Sequence, residues 1–246
     1  MGLADFFAKY KADRDQKALV RNIKRLIHQD MQHEDRLQSA EFLSEVGSDE
    51  ALYGLLRRYD MSLEKSYMDQ DEKSYVHDLL VAKGDRVLGP IKRFLRDSEN
   101  LAWPERILVS VLKDETQVVG VLLEVLEAER GGSDMRGPKR ANLLGLLKRY
   151  KDSRIAPAVL PFLDDFDETV RLTAVEVLDV EADSSVVLPL VTLLTSQEEE
   201  SFRVKRRVVD TFVKQNWIIP ESHRDGLTRW LPTGFSLTPD GQLKAN

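Results

Sequence analysis

The sequence predicts an all-α fold of short helix pairs stacked one on the next, ending in a small β-hairpin or extended tail. Three observations predict it. Apolar residues recur at helical spacing in Leu19, Ile23, Leu26, Ile27 and in Leu52, Leu55, Leu56, Tyr59. They do so again in Val87, Ile91, Phe94, Leu95 and in Val118, Val119, Leu122, Leu123, Leu126, which places one apolar stripe on each helix. Polar junctions return at a near-constant interval, at Asp49, Asp85, Asp114, Asp152 and Asp183, an average of about 34 residues apart. Period-two alternation is almost absent until the last dozen residues.

Each element follows from this pattern. Leu3, Phe6, Phe7 and Tyr10 have i, i+3, i+4, i+7 spacing and predict an amphipathic helix over residues 1–14. It would cap the exposed core of the first pair or dock into a partner groove. The array proper is expected over residues 15–217. Each junction should start a first helix. Pro90 and Pro157 stand five residues past their junction Asp, and Pro189 six past, early enough that the missing N–H costs little. Pro161 lies deeper and should kink its helix.

The second helices share a phase. The clearest copy reads Asp167, Val170, Arg171, Ala174, Val175, Val177, Leu178, with Asp183 and Pro189 beyond it. Arg36 to Leu43 and Arg140 to Leu147 repeat it, and Lys205 to Phe212 repeats it more loosely. This pattern resembles the HEAT repeat. The resemblance covers about six pairs. It departs in the third, where Trp103, Pro104, Glu105 and Arg106 stand in place of the Val-Arg step. It implies a right-handed α-α superhelix of the HEAT/armadillo-like solenoid class, with second helices lining a concave face. Stacking is physically apt, because a lone pair of about 34 residues cannot bury both its faces. Arg36, Arg140, Arg171 and Lys205 are expected to face junction Asp residues of neighbouring repeats, each pair contributing about 1 kcal/mol or less if exposed.

Two segments interrupt the repeat. Residues 60–72 lengthen one connection. Residues 218–246 are expected to hold a helix and then a hairpin or tail, from the Pro239, Asp240, Gly241 turn signal.

Composition narrows the chemistry. The 246 residues are 42% hydrophobic and 32% charged, with net charge −6 and no cysteine. The absence of cysteine removes disulfides, thiolate nucleophiles and Cys-ligated zinc. An acidic balance disfavours nucleic acid as a default partner. No apolar stretch approaches the roughly 20 residues of a membrane span, Phe6 breaks a myristoylation motif that Gly2 would begin, and the expected location is cytoplasmic. His28, His33, His77 and His223 lack the i, i+4 spacing of a helical zinc site. HEAT-repeat di-iron hydroxylases carry several His-Glu dipeptides, and this chain has His33-Glu34 alone. Residues 131–137, rich in glycine, lack the Gly-Lys-Ser/Thr of a phosphate cradle. The carboxylates of Asp164, Asp165, Asp167, Glu168 and of Glu198, Glu199, Glu200 precede second helices, where the helix dipole favours them. No metal, cofactor or catalytic residue is assigned.

The expected function is therefore non-enzymatic: a scaffold that binds a protein segment, extended or helical and possibly acidic, along its concave face. A monomer is favoured. Residues 201–230 carry a net +4, so the remainder carries about −10, and this polarity would steer an acidic partner. Arg203, Arg206, Arg207 and Asp210 are the candidates on the last second helix. Trp103 and, near residues 60–72, Tyr67 and Tyr75 are aromatic candidates. The alternative is a nucleic-acid-binding protein using the basic C-terminal half. Alkylpurine DNA glycosylases of HEAT type cradle DNA in a basic groove with clustered Trp residues, whereas Trp103, Trp217 and Trp230 are dispersed here. HEAT-like phycobilin lyases also exist, but no bilin site is recognisable.

Overall fold

The computed structural model describes the backbone of residues 3–130 and 137–246, with side chains from residue 12 onward. Leu3, Phe6, Phe7 and Tyr10, expected to form a cap, lie outside the described side chains, and most of the glycine-rich stretch at 131–137 lies outside the described residues. The chain is mostly helical, with twelve α-helices among the described residues and a two-stranded antiparallel hairpin at the C-terminus. It divides into two compact units, residues 1–118 and 119–246. No helix among the described residues is long and apolar enough to cross a membrane.

The first unit contains α1 (Leu3–Leu26), α2 (His33–Val46), α3 (Asp49–Leu56), α4 (Ser66–Val81), α5 (Leu88–Asp97) and α6 (Ala102–Leu112). Odd and even helices form two layers. Helices α1, α3 and α5 touch in succession, as do α2, α4 and α6, and each odd helix also packs on the even helix after it. Leu19, Leu26, Leu43, Leu52, Leu55, Leu80, Ile91 and Phe94 fill the core between the layers. Helix α1 runs without a break through residues 14 and 15, where the expected cap would meet the array. Its Ile23 lies so close to Gly54 of α3 that a Cβ there would come within 2.6 Å of the side chain. A side chain at position 54 would fit only if Ile23 or the helix backbones shifted.

α7 (Glu115–Ala128) carries the boundary between the units. The second unit continues with α8 (Gly137–Leu147), α9 (Ile155–Val159), α10 (Glu168–Glu181), α11 (Val187–Thr195) and α12 (Phe202–Gln215). Helix α10 is central, packed between α8 and α12 and covered by α9. The chain passes from α9 into a 3-10 turn at Leu160–Asp164. This is the deformation that Pro161 should impose, since proline removes a helix hydrogen bond and clashes with the preceding turn.

The junction aspartates turn out to serve their own helices. Asp114 accepts the N–H groups of Thr116 and Gln117, and Asp183 accepts that of Ser185. Asp152 accepts that of Arg154. They satisfy the orphan donors of a helix start. The second-helix arginines therefore take other partners, which corrects the expected ladder. Arg36 pairs with Glu72, Arg140 with Asp165 and Arg171 with Glu199. Lys205 instead sits 4.9 Å over the ring of Trp230.

Past α12, no α-helix forms within residues 218–246. Pro220 and the left-handed Gly226 (φ 69°) leave room for two 3-10 turns, Glu221–His223 and Leu227–Trp230. The hairpin is present: β1 (Phe235–Leu237) pairs antiparallel with β2 (Leu243–Ala245), with Phe235 opposite Ala245. Gly241 has φ 90°, a conformation that glycine supplies at the turn without steric cost.

Candidate functional site

The second helices of the second unit begin at one continuous, internally tied edge. Asp167 caps α10, accepting from Thr169 N and Val170 N at 2.7 and 3.3 Å. Ser201 caps α12 through Val204 N. The two caps are joined. The Ser201 hydroxyl donates to Glu168 at 2.9 Å, and Ser201 N donates to Glu199 at 2.8 Å. Arg171 completes the link. Its guanidinium binds both oxygens of Glu199, at 2.6 and 3.0 Å, and its Nη1 reaches the carbonyls of Asp165 and Phe166. The hydrogen bond from Arg171 to Glu199 raises the arginine pKa still further. One step earlier, Arg140, almost fully buried, pairs with Asp165: its Nη2 donates to Oδ1 at 2.9 Å, and the ion pair's shortest N–O distance is 2.7 Å.

These ties fix two aromatic side chains outward. Phe166, the residue before the α10 cap, is 84% exposed, and Phe202, the first residue of α12, is 54% exposed. Beside Phe166 a cavity of about 450 Å³ is lined by Leu163, Asp164, Leu193, Glu198 and Glu200. The carboxylates that are dispersed in sequence thus share one rim. Asp165 and Glu199 are held by arginines, while Asp164, Glu198 and Glu200 face solvent.

The residues singled out on α12 do not all reach this surface. Arg203 and Arg206 are exposed; Arg203 makes a loose 3.4 Å contact with Glu168, and Arg206 stands 3.8 Å from Asp210. Arg207 points the other way. With Lys214 and Gln215 it binds Asp179, a carboxylate only 1% exposed, at 2.7 to 2.8 Å. It belongs to the α10–α12 packing.

The aromatic candidates of the first unit are likewise mixed. Trp103, on α6, stacks on the buried Tyr59 at 5.5 Å and meets the edge of His77. The Tyr75 hydroxyl donates to Glu41 at 2.8 Å. Tyr67 is 66% exposed. The segment 60–72 is not a loose insertion, because α4 already starts at Ser66. A buried charge network explains the early start. Glu72, 1% exposed, accepts from Arg36 at 2.8 Å and from Arg58 at 3.0 Å, with His33 Nδ1 at 2.7 Å. Asp69 accepts from Arg58 and Lys73 at 2.8 and 2.7 Å and from the Leu63 N–H. Burial pushes the Glu72 pKa up, but the hydrogen bonds from Arg36 and His33 and the nearby guanidinium charges outweigh it. The carboxyl is held below its ordinary range.

One arrangement with the order of a nucleophilic relay occurs in the same unit. Ser110 Oγ lies 3.3 Å from His77 Nε2, and His77 Nδ1 lies 3.0 Å from Asp78 Oδ1. Ser110 sits within α6, whose backbone N–H groups are taken up along the helix axis. Acyl transfer needs donors aimed at a developing oxyanion, and the backbone N–H groups around Ser110 are directed along the helix instead. Among the described residues, no group of three or more His, Asp or Glu side chains stands as a metal-binding set.

Sequence reasoning missed Phe166 and Phe202 as surface aromatics. The signal was present in the adjoining caps, Asp167 and Ser201, because residues beside an N-cap lie where the chain turns at the surface. Compared with known proteins, the chain matches no family model and no curated protein.

Proposed function

We propose that this protein is a non-enzymatic protein-interaction scaffold. Its helix pairs form a HEAT-type solenoid, and a partner segment, extended or helical, lies along the second helices. The observation that carries this reading is the pair of exposed rings, Phe166 and Phe202, at neighbouring second-helix starts. Large aromatic side chains left in water cost free energy that a partner recovers on binding, and rigidly mounted aromatics with arginine nearby are the usual anchors of an interface. Arg203 stands next to Phe202 and is exposed. The resemblance to HEAT repeats and the two-layer packing of consecutive helices support the scaffold reading.

The nucleic-acid alternative gains little from the C-terminal cations. Arg207 and Lys214 are engaged by Asp179, Lys205 and Arg229 lie over Trp230, and Arg224 donates to the carbonyls of Ile219 and Pro239. Arg203 and Arg206 remain outward, too few for a phosphate-tracking groove.

The test is quantitative affinity capture from native lysate with the wild-type chain and with Phe166→Ser/Phe202→Ser. Specific prey should be depleted at least ~10-fold by the double variant, as loss of two anchors predicts. Identical prey with both proteins would sink the reading. Duplex DNA binding at ~50 mM salt that is lost in Arg203→Glu/Arg206→Glu would favour the alternative instead.

A further inference from the structure

We infer that the outer face of α1 is a second docking surface, and that its occupant is an acidic amphipathic helix of a partner protein. It goes beyond the edge formed by α10 and α12 and does not depend on it. A shallow groove of about 510 Å³ runs along this face, lined chiefly by Lys17, Val20, Arg21, Lys24, His28 and Met31. No carboxylate lines it. On a chain of net charge −6, that concentration of cations is a local reversal of sign.

The availability of those charges follows from their neighbours. Lys17 shares Asp13 at 2.7 Å, and Arg25, at the groove edge, is held by Asp35. Arg21 and Lys24 are exposed and make no ion pair among the described residues. His28 Nδ1 accepts the Asp30 N–H at 3.2 Å. Between the cations Val20 is 41% exposed, and Met31 closes the far end half-buried. The face thus carries a basic stripe with an apolar strip, Val20 and Met31, along its edge.

The geometry specifies a helix. Lys17, Arg21 and Lys24 stand at i, i+4 and i+7, so their charges span about 10 Å along one side of α1 at 1.5 Å per residue. A partner helix with Glu or Asp at the same spacing matches them turn for turn, and one or two Leu or Ile side chains alongside would cover Val20 and Met31. A lipid surface fits less well. Interfacial helices insert their apolar face, and here Leu19 and Leu26 of that face are already buried.

The experiment uses the full chain and four probes, with a charge-reversed peptide as a fifth, read by fluorescence anisotropy or co-sedimentation at ~50 mM salt. The probes are a fluorescein-labelled peptide of about 18 residues with Glu at i, i+4, i+7 beside a Leu/Ile stripe, a scrambled peptide of the same composition, phosphatidylserine-containing vesicles, and a single-stranded RNA. The patterned peptide should bind at least ~10-fold tighter than the scrambled one. Arg21→Glu/Lys24→Glu should weaken it at least ~10-fold, and the exposed control Lys244→Glu should leave it unchanged. A peptide with Lys in place of each Glu should bind the Arg21→Glu/Lys24→Glu variant better than the wild type. No binding of the patterned peptide, equal binding of the scrambled one, indifference to the Arg21/Lys24 change, or preference for vesicles or RNA would each overturn the proposal. Because Phe166 and Phe202 are untouched, failure here leaves the α10–α12 edge to be judged by its own capture experiment.

Discussion

Arg171 binds Glu199 through two hydrogen bonds, Nε to Oε2 at 2.6 Å and Nη2 to Oε1 at 3.0 Å, across a gap of 28 residues in the chain. Glu199 is 2% exposed at its side chain. The pair closes the loop before α12 onto the start of α10, and the Phe166 and Asp165 carbonyls complete the arginine's set of acceptors. Through it the chemistry of a buried ion pair sets the position of an exposed aromatic edge.

Removing the arginine should therefore cost both stability and edge geometry. Arg171→Ala leaves a buried carboxylate without its counter-charge. Breaking a buried pair of this kind costs about 3–5 kcal/mol when both partners are fully buried. Arg171 keeps 17% side-chain exposure, so a loss of about 2–3 kcal/mol is expected in urea unfolding. Arg171→Met/Glu199→Leu, which removes both charges, should recover most of it. An additive loss in the double variant would show that the two residues do not act as a pair.

The contrast between Arg171 and Asp183 shows how far the sequence could be read. Three of the five junction Asp residues, Asp114, Asp152 and Asp183, accept N–H groups at a helix start, because capping is a local interaction and a local pattern records it; at Asp49 the cap is the preceding Ser48. The arginine partners were not legible, since a carboxylate 25 to 36 residues away is chosen by packing and not by spacing. Residues 60–72 show the same limit. They interrupt the repeat and so read as a lengthened connection, but Asp69 and Glu72 form part of α4 and turn inward to Arg36 and Arg58. Carboxylates on a helix are usually solvated, so burial with arginine is invisible until the third dimension is known. Among the candidate residues, Arg203 and Arg206 are exposed on α12, whereas Arg207 is claimed by Asp179. Adjacent residues on a helix point about 100° apart, and that rotation separates Arg206 from Arg207.

Glu72 makes the first unit acid-sensitive. Its folded pKa lies below the ordinary glutamate value near 4.5. The charged form is therefore favoured by folding. Its stabilisation is fully present above that ordinary value and is lost as pH falls through the depressed one. The wild-type protein should lose stability steeply below about pH 4.5. Glu72→Gln should be less stable at neutral pH by about 3 kcal/mol, since Arg36 and Arg58 remain buried, and its unfolding curve should flatten in acid. Parallel curves for the two proteins from pH 7 to pH 3 would contradict the assignment.

Ala182 ends α10 in the left-handed region, with φ 54°. Its N–H still bonds to Leu178 O, so the cap is formed, but a Cβ in this conformation costs about 1 kcal/mol. Ala182→Gly should raise stability by about 0.5–1 kcal/mol, observed as a higher thermal midpoint, with no change in the capture of partners. A drop in the midpoint would mean that the added chain entropy of glycine exceeds the relief of strain.

Glu181, the residue before it, carries a polarity opposite to that of Glu72. Its Oε1 is buried without a hydrogen-bond partner. Burial raises its pKa most, Asp152 and Asp183 add to the rise, and the hydrogen bond at the Asp152 backbone and the charge of Lys151 only partly offset it. A raised carboxyl pKa means that the folded state binds the proton more tightly than the unfolded state. Relative stability is therefore gained as pH falls from neutral through the raised value, and lost again as pH returns to neutral. Glu181→Gln removes the charge and keeps the shape. It should be more stable than the wild type at pH 7 by up to about 1 kcal/mol, because the desolvated negative charge and its repulsion by Asp152 and Asp183 are gone. The advantage should shrink as the pH is lowered toward the ordinary glutamate range, where Glu181 itself becomes protonated. Chemical unfolding of both proteins across that range measures the difference directly. A variant less stable than the wild type at pH 7 would show that the Glu181 carboxylate is held by a charge partner stronger than its burial.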